Sequence, residues 1–488
     1  MAKHISTPRD VPKQKKGERN VDMNEPLKFK LFSVYGKLLY REELEKAYKA
    51  VKANNGCAGV DKISIAKFDE NKDEYLGQIL SELKAKTYKP SPVKRKYIPK
   101  KNGKLRPLGI PTIKDRIVQQ ALVNQLNGFF EENVFHDNSC GFRPGRDAKL
   151  ALKKIVSRLE SGYLYVYDFD IKGYFDNIPH KKLMKVLNKY VADGTVLDMI
   201  WKWLKAGYME DNIRHEQFSG TQQGGVISPL LANIYLNELD WELDKAKLEF
   251  VRYADDSIVM CQTKEDLERA KEVVHRVIRE LGLELAEDKS DDIDFHNKDF
   301  DYLGFTFGHL KMSKNNRVYY VVKPSDKSVK KFKADIKAVT GKTCSFSYEK
   351  WAEILNPILR GKYNYYLKAY EAITEIRELL VQRNRESHGL FASPFGETDG
   401  YVRQRLRVSF SCRGKKHGGI RQSKLLNVKY GNSFFVKDMK LVTGGFLQTR
   451  ILYPDRSVDE YLEYIGTHKK KRTVTPEAKR FYKLAYAK

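Results

Sequence analysis

Two short runs rich in branched and aromatic side chains, Leu248 to Tyr253 and Ser257 to Cys261, are separated only by Ala254-Asp255-Asp256. Apolar runs of that length around so short a connection predict a tight β-hairpin, and this one carries two carboxylates at its tip. A third run, Tyr163 to Ile171, predicts a buried strand that ends in acid at Asp170. Successive strand residues point to opposite faces, so Asp255 and Asp256 converge only if the backbone turns between or beside them, and the hairpin supplies that turn. If the Asp170 strand pairs beside it, three acids share one end of a sheet. Transfer of a phosphoryl group to a 3′-hydroxyl requires a metal to activate the attacking oxygen and another to steady the leaving pyrophosphate, about 3.5–4 Å apart. Magnesium keeps several waters and takes one or two carboxylates per ion, so three aspartates suffice. Asp-Asp alone is equally ordinary turn chemistry; the order and separation of all three acids carry the catalytic reading.

The chain around this hairpin is long and basic. Its 488 residues suggest about three structural units. The 41% of hydrophobic residues is enough to bury real cores, which excludes wholesale disorder. A net charge of +27 points to a polyanionic partner. From Tyr401 to Lys488 there are 21 Lys and Arg against 6 Asp and Glu, so the last stretch is expected to meet phosphates, with steep salt dependence. The five cysteines lack metal-site spacing and read as buried thiols. No signal peptide or membrane-spanning run is apparent, and a reducing cytoplasmic setting, nucleoid-associated, with no membrane partner, is expected.

Helical spacing is read from Glu42 to Lys52, from Asp115 to Phe130, and from Asp147, as cap, to Leu159. Val93 to Pro99 and Leu105 to Ile110 flank Asn102-Gly103, a strong hairpin signal. Past about Leu310 the pattern is mostly helical and basic.

Five stretches in this order give the chain a specific resemblance, from about residue 40 to about residue 407, to the bacterial group II intron-encoded reverse transcriptases. They are Arg106-Pro107-Leu108-Gly109-Ile110-Pro111, Gly141-Phe142-Arg143-Pro144-Gly145-Arg146, Asp170-Ile171-Lys172-Gly173-Tyr174-Phe175-Asp176, Gln223-Gly224-Gly225-Val226-Ile227-Ser228-Pro229 and Tyr253-Ala254-Asp255-Asp256. The resemblance implies an α+β right-hand polymerase, with fingers, a palm with an antiparallel sheet, a helical thumb and a basic C-terminal nucleic-acid-binding region. The expected divisions are a basic leader over 1–27, fingers over 28–160, palm over 161–310, thumb and maturase segment over 311–407, and the basic region over 408–488.

The resemblance also assigns roles. Asp170, Asp255 and Asp256, with the carbonyl of Ile171, are implied as ligands of two Mg2+ ions, for which Mn2+ substitutes, and Lys289 as the general acid at the pyrophosphate. Lys100 and Arg106 match the positions that hold the triphosphate, Phe175 the ring that collides with a 2′-hydroxyl, and Gln223 and Gly224 the loop beside nucleotide and template. Gln222 stands where the family usually has proline. Tyr302-Leu303-Gly304-Phe305 resembles the primer-grip turn. Arg143, Arg146, Arg360, Lys362, Tyr365, Arg403, Arg405 and Arg407 are the expected nucleic-acid contacts, since rings stack on bases while cations meet phosphates. The implied partners are group II intron RNA, an RNA template, a DNA primer or target and deoxynucleoside triphosphates. The paired cysteines of the terminal His-Asn-His endonuclease of many relatives are missing, so second-strand cleavage by that route is not expected, and a primer would come from elsewhere, such as a replication fork. A reverse transcriptase recruited to a host role such as phage defence is the alternative.

Overall fold

The computed structural model describes residues 30–99, 105–311, 318–341, 346–411 and 430–463. Its centre is a four-stranded antiparallel sheet in the spatial order Glu249–Tyr253, Asp256–Cys261, Tyr165–Phe169, Asp291–Asp294. The side-chain alternation of its strands explains where it sits. Tyr167, Phe169, Phe250, Val259 and Cys261 enter one core, packed by the helices Ile113–Asn133, Ser228–Lys245 and Lys264–Leu281. Val166, Val251, Ile258, Met260 and Ile293 enter a second core, packed by the helices Ala148–Glu160 and Tyr348–Gln382. A sheet buried on both faces needs apolar residues at both parities, as these strands have.

An N-terminal sheet runs in the order Leu105–Ile110, Val93–Pro99, Tyr208–Glu210, Ile213–His215. The first two strands pair antiparallel from Lys94 opposite Ile110 to Pro99 opposite Leu105. The pairing expected of this hairpin is thus present, while its tip, with Lys100, lies outside the described residues. A C-terminal sheet, Gly389–Phe391, Val318–Pro324, Phe305–Lys311, Phe300–Tyr302, corrects the mostly helical reading past residue 310. Its Tyr302 pairs with Phe305 across Leu303 (φ 49°) and Gly304 (φ 75°), both left-handed, as a two-residue primed turn demands.

Expected helices appear with modest shifts, at Arg41–Ala53, Ile113–Asn133 and Ala148–Glu160, the last capped by Asp147 Oδ1 accepting from Leu150 N at 3.2 Å. The boundary expected at 407 falls inside the helix Phe395–Ser411. Residues beyond it join the second core through Tyr430, Phe435, Met439 and Leu441. Asn356 of the long helix binds this segment twice, donating to Lys440 O and accepting from Val442 N. The buried Asp399 carboxylate accepts from Gly444 N and Gly445 N at the start of the helix Gly444–Leu452. Residues 430–463 are therefore part of the second core and not a detached tail. The leader and residues 464–488 lie outside the described residues. Cys57 is exposed, against expectation, while Cys140 and Cys261 are buried free thiols. Among the described residues no helix is long and apolar enough to cross a membrane.

A Cβ at Gly444 would collide with the ring of Phe395. Gly444→Ala is expected to destabilise the fold by about 1–3 kcal/mol through overpacking. Chemical denaturation followed by circular dichroism checks this, and an unchanged midpoint would mean the docking is loose.

Candidate active site

Tyr253 pairs directly with Asp256, so the hairpin turns on Ala254 and Asp255 alone, with Ala254 in the left-handed region at φ 62°. A β-carbon makes that conformation costly, and it persists only where surroundings impose it. Here they do. Arg252, 1% exposed, donates from Nε to Asp240 Oδ1 at 2.7 Å, and from Nη1 to Asn233 Oδ1 at 3.0 Å and to the carbonyl of Ala254 at 2.9 Å. Asn233 donates in turn to Gly141 O at 2.8 Å. The backbone of Arg252 is paired with Asn138 O and Cys140 N. Gly141 lies so close that a Cβ there would overlap the amide nitrogen of Ala254. The Gly141–Arg146 stretch is thus a brace under the turn.

The strand register places the acids. Phe169 faces Ser257 and Asp168 faces Ile258. Asp170 and Asp256 therefore project from the same side, the one that faces the second core, with Asp255 on the adjoining turn. Burial raises the Asp255 carboxyl above its ordinary value, as does Asp170, while Arg106 and Arg252 oppose the rise. Burial, then Asp255 and Asp170, push Asp256 up to about 6, against Lys289. These carboxylates sit within electrostatic reach of one another. Lys289 donates its ammonium to Asp170 Oδ2, and that pairing raises the lysine's own pKa. It is carried there by a segment bridged to the end of the Asp170 strand: Ile171 pairs with Leu285, Ala286 N donates to Asp170 O at 2.8 Å and Lys172 N to Glu284 O at 2.9 Å.

Asp168 is an acid that reading the sequence missed. Burial, followed by Asp256, Asp291, Asp170 and Asp301, pushes it up to about 7. Its signal was parity, since it shares a strand face with Asp170 two residues on. Among the described residues no three His, Cys, Asp or Glu side chains are gathered closely enough to ligate one ion, and Asp170 is engaged by Lys289. The donor chemistry nevertheless fits a hard divalent cation: only oxygen ligands are offered, and burial, followed by the neighbouring carboxylates, raises the affinity of Asp168, Asp255 and Asp256 for protons.

Around the acids, Phe175 lies half-buried on the turn Tyr174–Asn177, its carbonyl accepting from Thr221 N at 2.7 Å. Gln223 donates to Asp176 Oδ2 at 3.0 Å, and its carbonyl accepts from Gly109 N at 2.7 Å. Gly224 (φ 111°) sits where a Cβ would strike Gly109 O, so only glycine fits. Where a proline was expected, the side chain of Gln222 donates to Trp203 O and Gly207 O, both at 3.4 Å. Hydrogen bonds thus stand in for the ring's restraint. Arg106 is exposed on its strand and acts on Asp255.

The expected nucleic-acid set divides. Arg143 is interior, its guanidinium on Glu131, His136 O and Ser139 O and over the Phe135 ring, so it is a correction: it braces its own loop. Arg405 is committed to Thr340, and Arg407 to Tyr430 O and the Phe435 ring; both hold the second core together. Arg146 pairs with Asp137. Tyr365 stacks on Phe305 at 5.4 Å and donates to Leu303 O at 2.6 Å, so it docks the long helix on the primed turn instead of standing free. Lys362, over the Tyr366 ring at 4.9 Å and donating to Ser328 Oγ at 3.0 Å, and Arg403 are partly exposed, and Arg360 is exposed.

Comparison with known proteins adds sequence kinship. Residues 98–307 match the family described as reverse transcriptase (RNA-dependent DNA polymerase). Group II intron-encoded protein LtrA of Lactococcus lactis subsp. cremoris is 41% identical over 254 residues, which cover 52% of this chain and 42% of that one. Protein YkfC of Escherichia coli (strain K12) is 33% identical over 304 residues, covering 54% of this chain and 79% of that one. An uncharacterized 91 kDa protein in a cob intron of Schizosaccharomyces pombe is 35% identical over 213 residues, covering 44% and 26%. The chain thus matches less than half the length of LtrA.

Asp240→Ala leaves the buried Arg252 guanidinium without its carboxylate and is expected to cost about 3–5 kcal/mol. Urea unfolding measures it, and a loss under 1 kcal/mol would remove the network from its bracing role. The raised acids also set a pH dependence. Asp168 and Asp256, ordinarily near 3.8, hold protons up to about 7 and about 6 in the folded state. Their contribution is fully present below the unfolded value and is lost as pH rises through the folded values. In chelator, stability is expected to fall between about pH 4 and 7. Asp168→Asn is expected to narrow the gap in melting temperature between pH 5 and pH 8, and to melt higher than the parent at pH 8. An equal gap in both proteins would clear Asp168 of the effect.

Proposed function

The chain belongs to the reverse transcriptase family, in the lineage of bacterial group II intron-encoded proteins, and from that premise we propose that it is an RNA-directed DNA polymerase that copies intron RNA and binds the intron as a maturase. The observation that carries this reading is the placement of Asp170 and Asp256 on one side of the central sheet beside Asp255, where burial and then the neighbouring carboxylates raise the proton affinity of Asp255 and Asp256. In this reading the central sheet is the palm, the N-terminal sheet and its helices are the fingers, and the C-terminal sheet with the long helix is the thumb.

Asp170, Asp255, Asp256 and the carbonyl of Ile171 would hold two Mg2+ ions, or Mn2+ in their place. When bound, such ions supply activation of the primer 3′-hydroxyl and neutralisation of the leaving pyrophosphate. The remaining work falls to the chain. Arg106 grips phosphate oxygens with a forked guanidinium, and Lys100 adds a point charge. Phe175 occupies the space a 2′-hydroxyl would need, while Gln223 and Gly224, tied to Gly109 and Asp176, border the nucleotide and the template. Lys289, whose pairing with Asp170 favours its charged form, keeps a proton for the pyrophosphate oxygen. Arg360 and Arg403 would meet nucleic acid, with Lys362, which also donates to Ser328 Oγ at 3.0 Å, and with the cations of 464–488, where eight Lys and Arg accompany Glu477 alone.

Purified protein is expected to extend a DNA primer on an RNA template with magnesium, and Asp255→Ala to abolish extension while RNA binding stays within about twofold of the parent. Synthesis that survives in the variant would refute the ligand assignment. Deleting residues 464–488 is expected to weaken RNA binding at low salt and to make the plot of log affinity against log salt shallower. A slope identical to the parent's would leave those cations out of the complex.

A further inference from the structure

Phe142 combines two unfavourable features at the edge of the site. Its backbone is left-handed, at φ 56°, where a bulky residue is a rarity, and the residue is 55% exposed. Its neighbours impose the conformation. On one side Gly141 is pressed against the Ala254 turn, with its carbonyl taken by Asn233. On the other the Arg143 guanidinium is held by Glu131, His136 O and Ser139 O. With both flanks fixed, residue 142 has no route to an ordinary conformation, which is how such strain survives in a folded chain.

The conformation aims the ring at Phe175. The two centroids lie 6.2 Å apart at an interplanar angle of 84°, an edge-to-face contact. Phe175 makes a second edge contact with Tyr174, at 5.5 Å and 67°. Its backbone is held by Thr221 N, so the freedom that remains is rotation of the side chain, and these two rings limit it. A ring that sorts sugars by one hydroxyl must be held to roughly 0.5 Å by neighbours that lock its rotamer.

We infer that Phe142 is a positioning residue for Phe175: its ring edge fixes the Phe175 rotamer and thereby sets how strictly ribonucleotides are excluded. The inference rests on the reading of Phe175 as the sugar-facing ring. A ring serving only the core would be covered, and one serving only the template would not need contact with Phe175.

The test is single-nucleotide addition opposite one RNA template base, with kcat/KM compared for the deoxynucleotide and its ribonucleotide. Phe142→Leu is expected to lower that ratio about threefold to tenfold, the weight of an aromatic pair. Phe142→Tyr keeps the ring edge and is expected to keep the parent ratio. Combining Phe142→Leu with Phe175→Ala is expected to give the ratio of Phe175→Ala alone, because a residue acting through another adds nothing once that other is gone. Phe142→Gly relieves the backbone, so it should melt no lower than the parent while losing selectivity as Phe142→Leu does, which separates the effect from misfolding. If Phe175→Ala relaxes selectivity and Phe142→Leu does not, or if the two losses add, the inference is overturned while the Phe175 reading stands. If Phe175→Ala leaves the ratio unchanged, both fall. A raised KM for template in Phe142→Leu with an unmoved ratio would make Phe142 a template contact and overturn the inference as well.

Discussion

The buried pair of Arg252 and Asp240 is the constraint from which the site's geometry follows. Taking two charges out of water is costly, and the cost is offset only when geometry is good and the remaining donors are satisfied. Arg252 meets that condition by spreading its guanidinium over Asp240, Asn233 and the carbonyl of Ala254. Each partner belongs to a different piece of the site. Asp240 and Asn233 lie on the helix Ser228–Lys245, Ala254 is the turn itself, and Asn233 passes the connection to Gly141. A single interior cation thus holds helix, hairpin and loop in one arrangement.

That arrangement explains how mutually repelling acids stay together. The central sheet is clamped between two cores, so its strands cannot splay to separate Asp170 from Asp256. Burial first, and the repulsion after it, raise the proton affinity of Asp168, Asp255 and Asp256. Lys289 offsets part of it at Asp256 and Arg106 at Asp255, one carried by the 284–290 segment and the other by the N-terminal sheet. The charge left over makes the site receptive to cations before any substrate arrives.

Much of this was legible in the residues. Tyr253-Ala254-Asp255-Asp256 announced its hairpin because so short a connection between two apolar runs leaves little choice of turn, and Asp147 announced a cap. The failures have a common cause: a residue's type does not disclose whether its partners are inside or outside the chain. Arg143, Arg405 and Arg407 read as phosphate contacts, yet their guanidinium groups are spent on Glu131, Thr340 and Tyr430. Asp168 shares a strand face with Asp170, but its burial and its neighbours Asp256, Asp291 and Asp301, far along the chain, are set by the fold and not by local pattern. The strand Gly389–Phe391 is three residues long and pairs with Val318–Pro324 across the whole long helix, a contact no local pattern signals. The division expected at 407 followed the end of the family resemblance, whereas the second core runs on through Phe410, Tyr430 and Phe435.

The primed turn at Leu303-Gly304 ties two distant parts of the molecule by short bonds. Tyr365 reaches it from the long helix through Leu303 O, and Tyr302 continues from it to the backbone carbonyl of Asp256 at 3.1 Å. Whatever lies along the helix is therefore measured against Asp256 as with a calliper of fixed jaw. The long helix and the hairpin that carries Asp256 are thereby coupled through a two-residue turn and two hydrogen bonds, so that a shift of one is passed to the other.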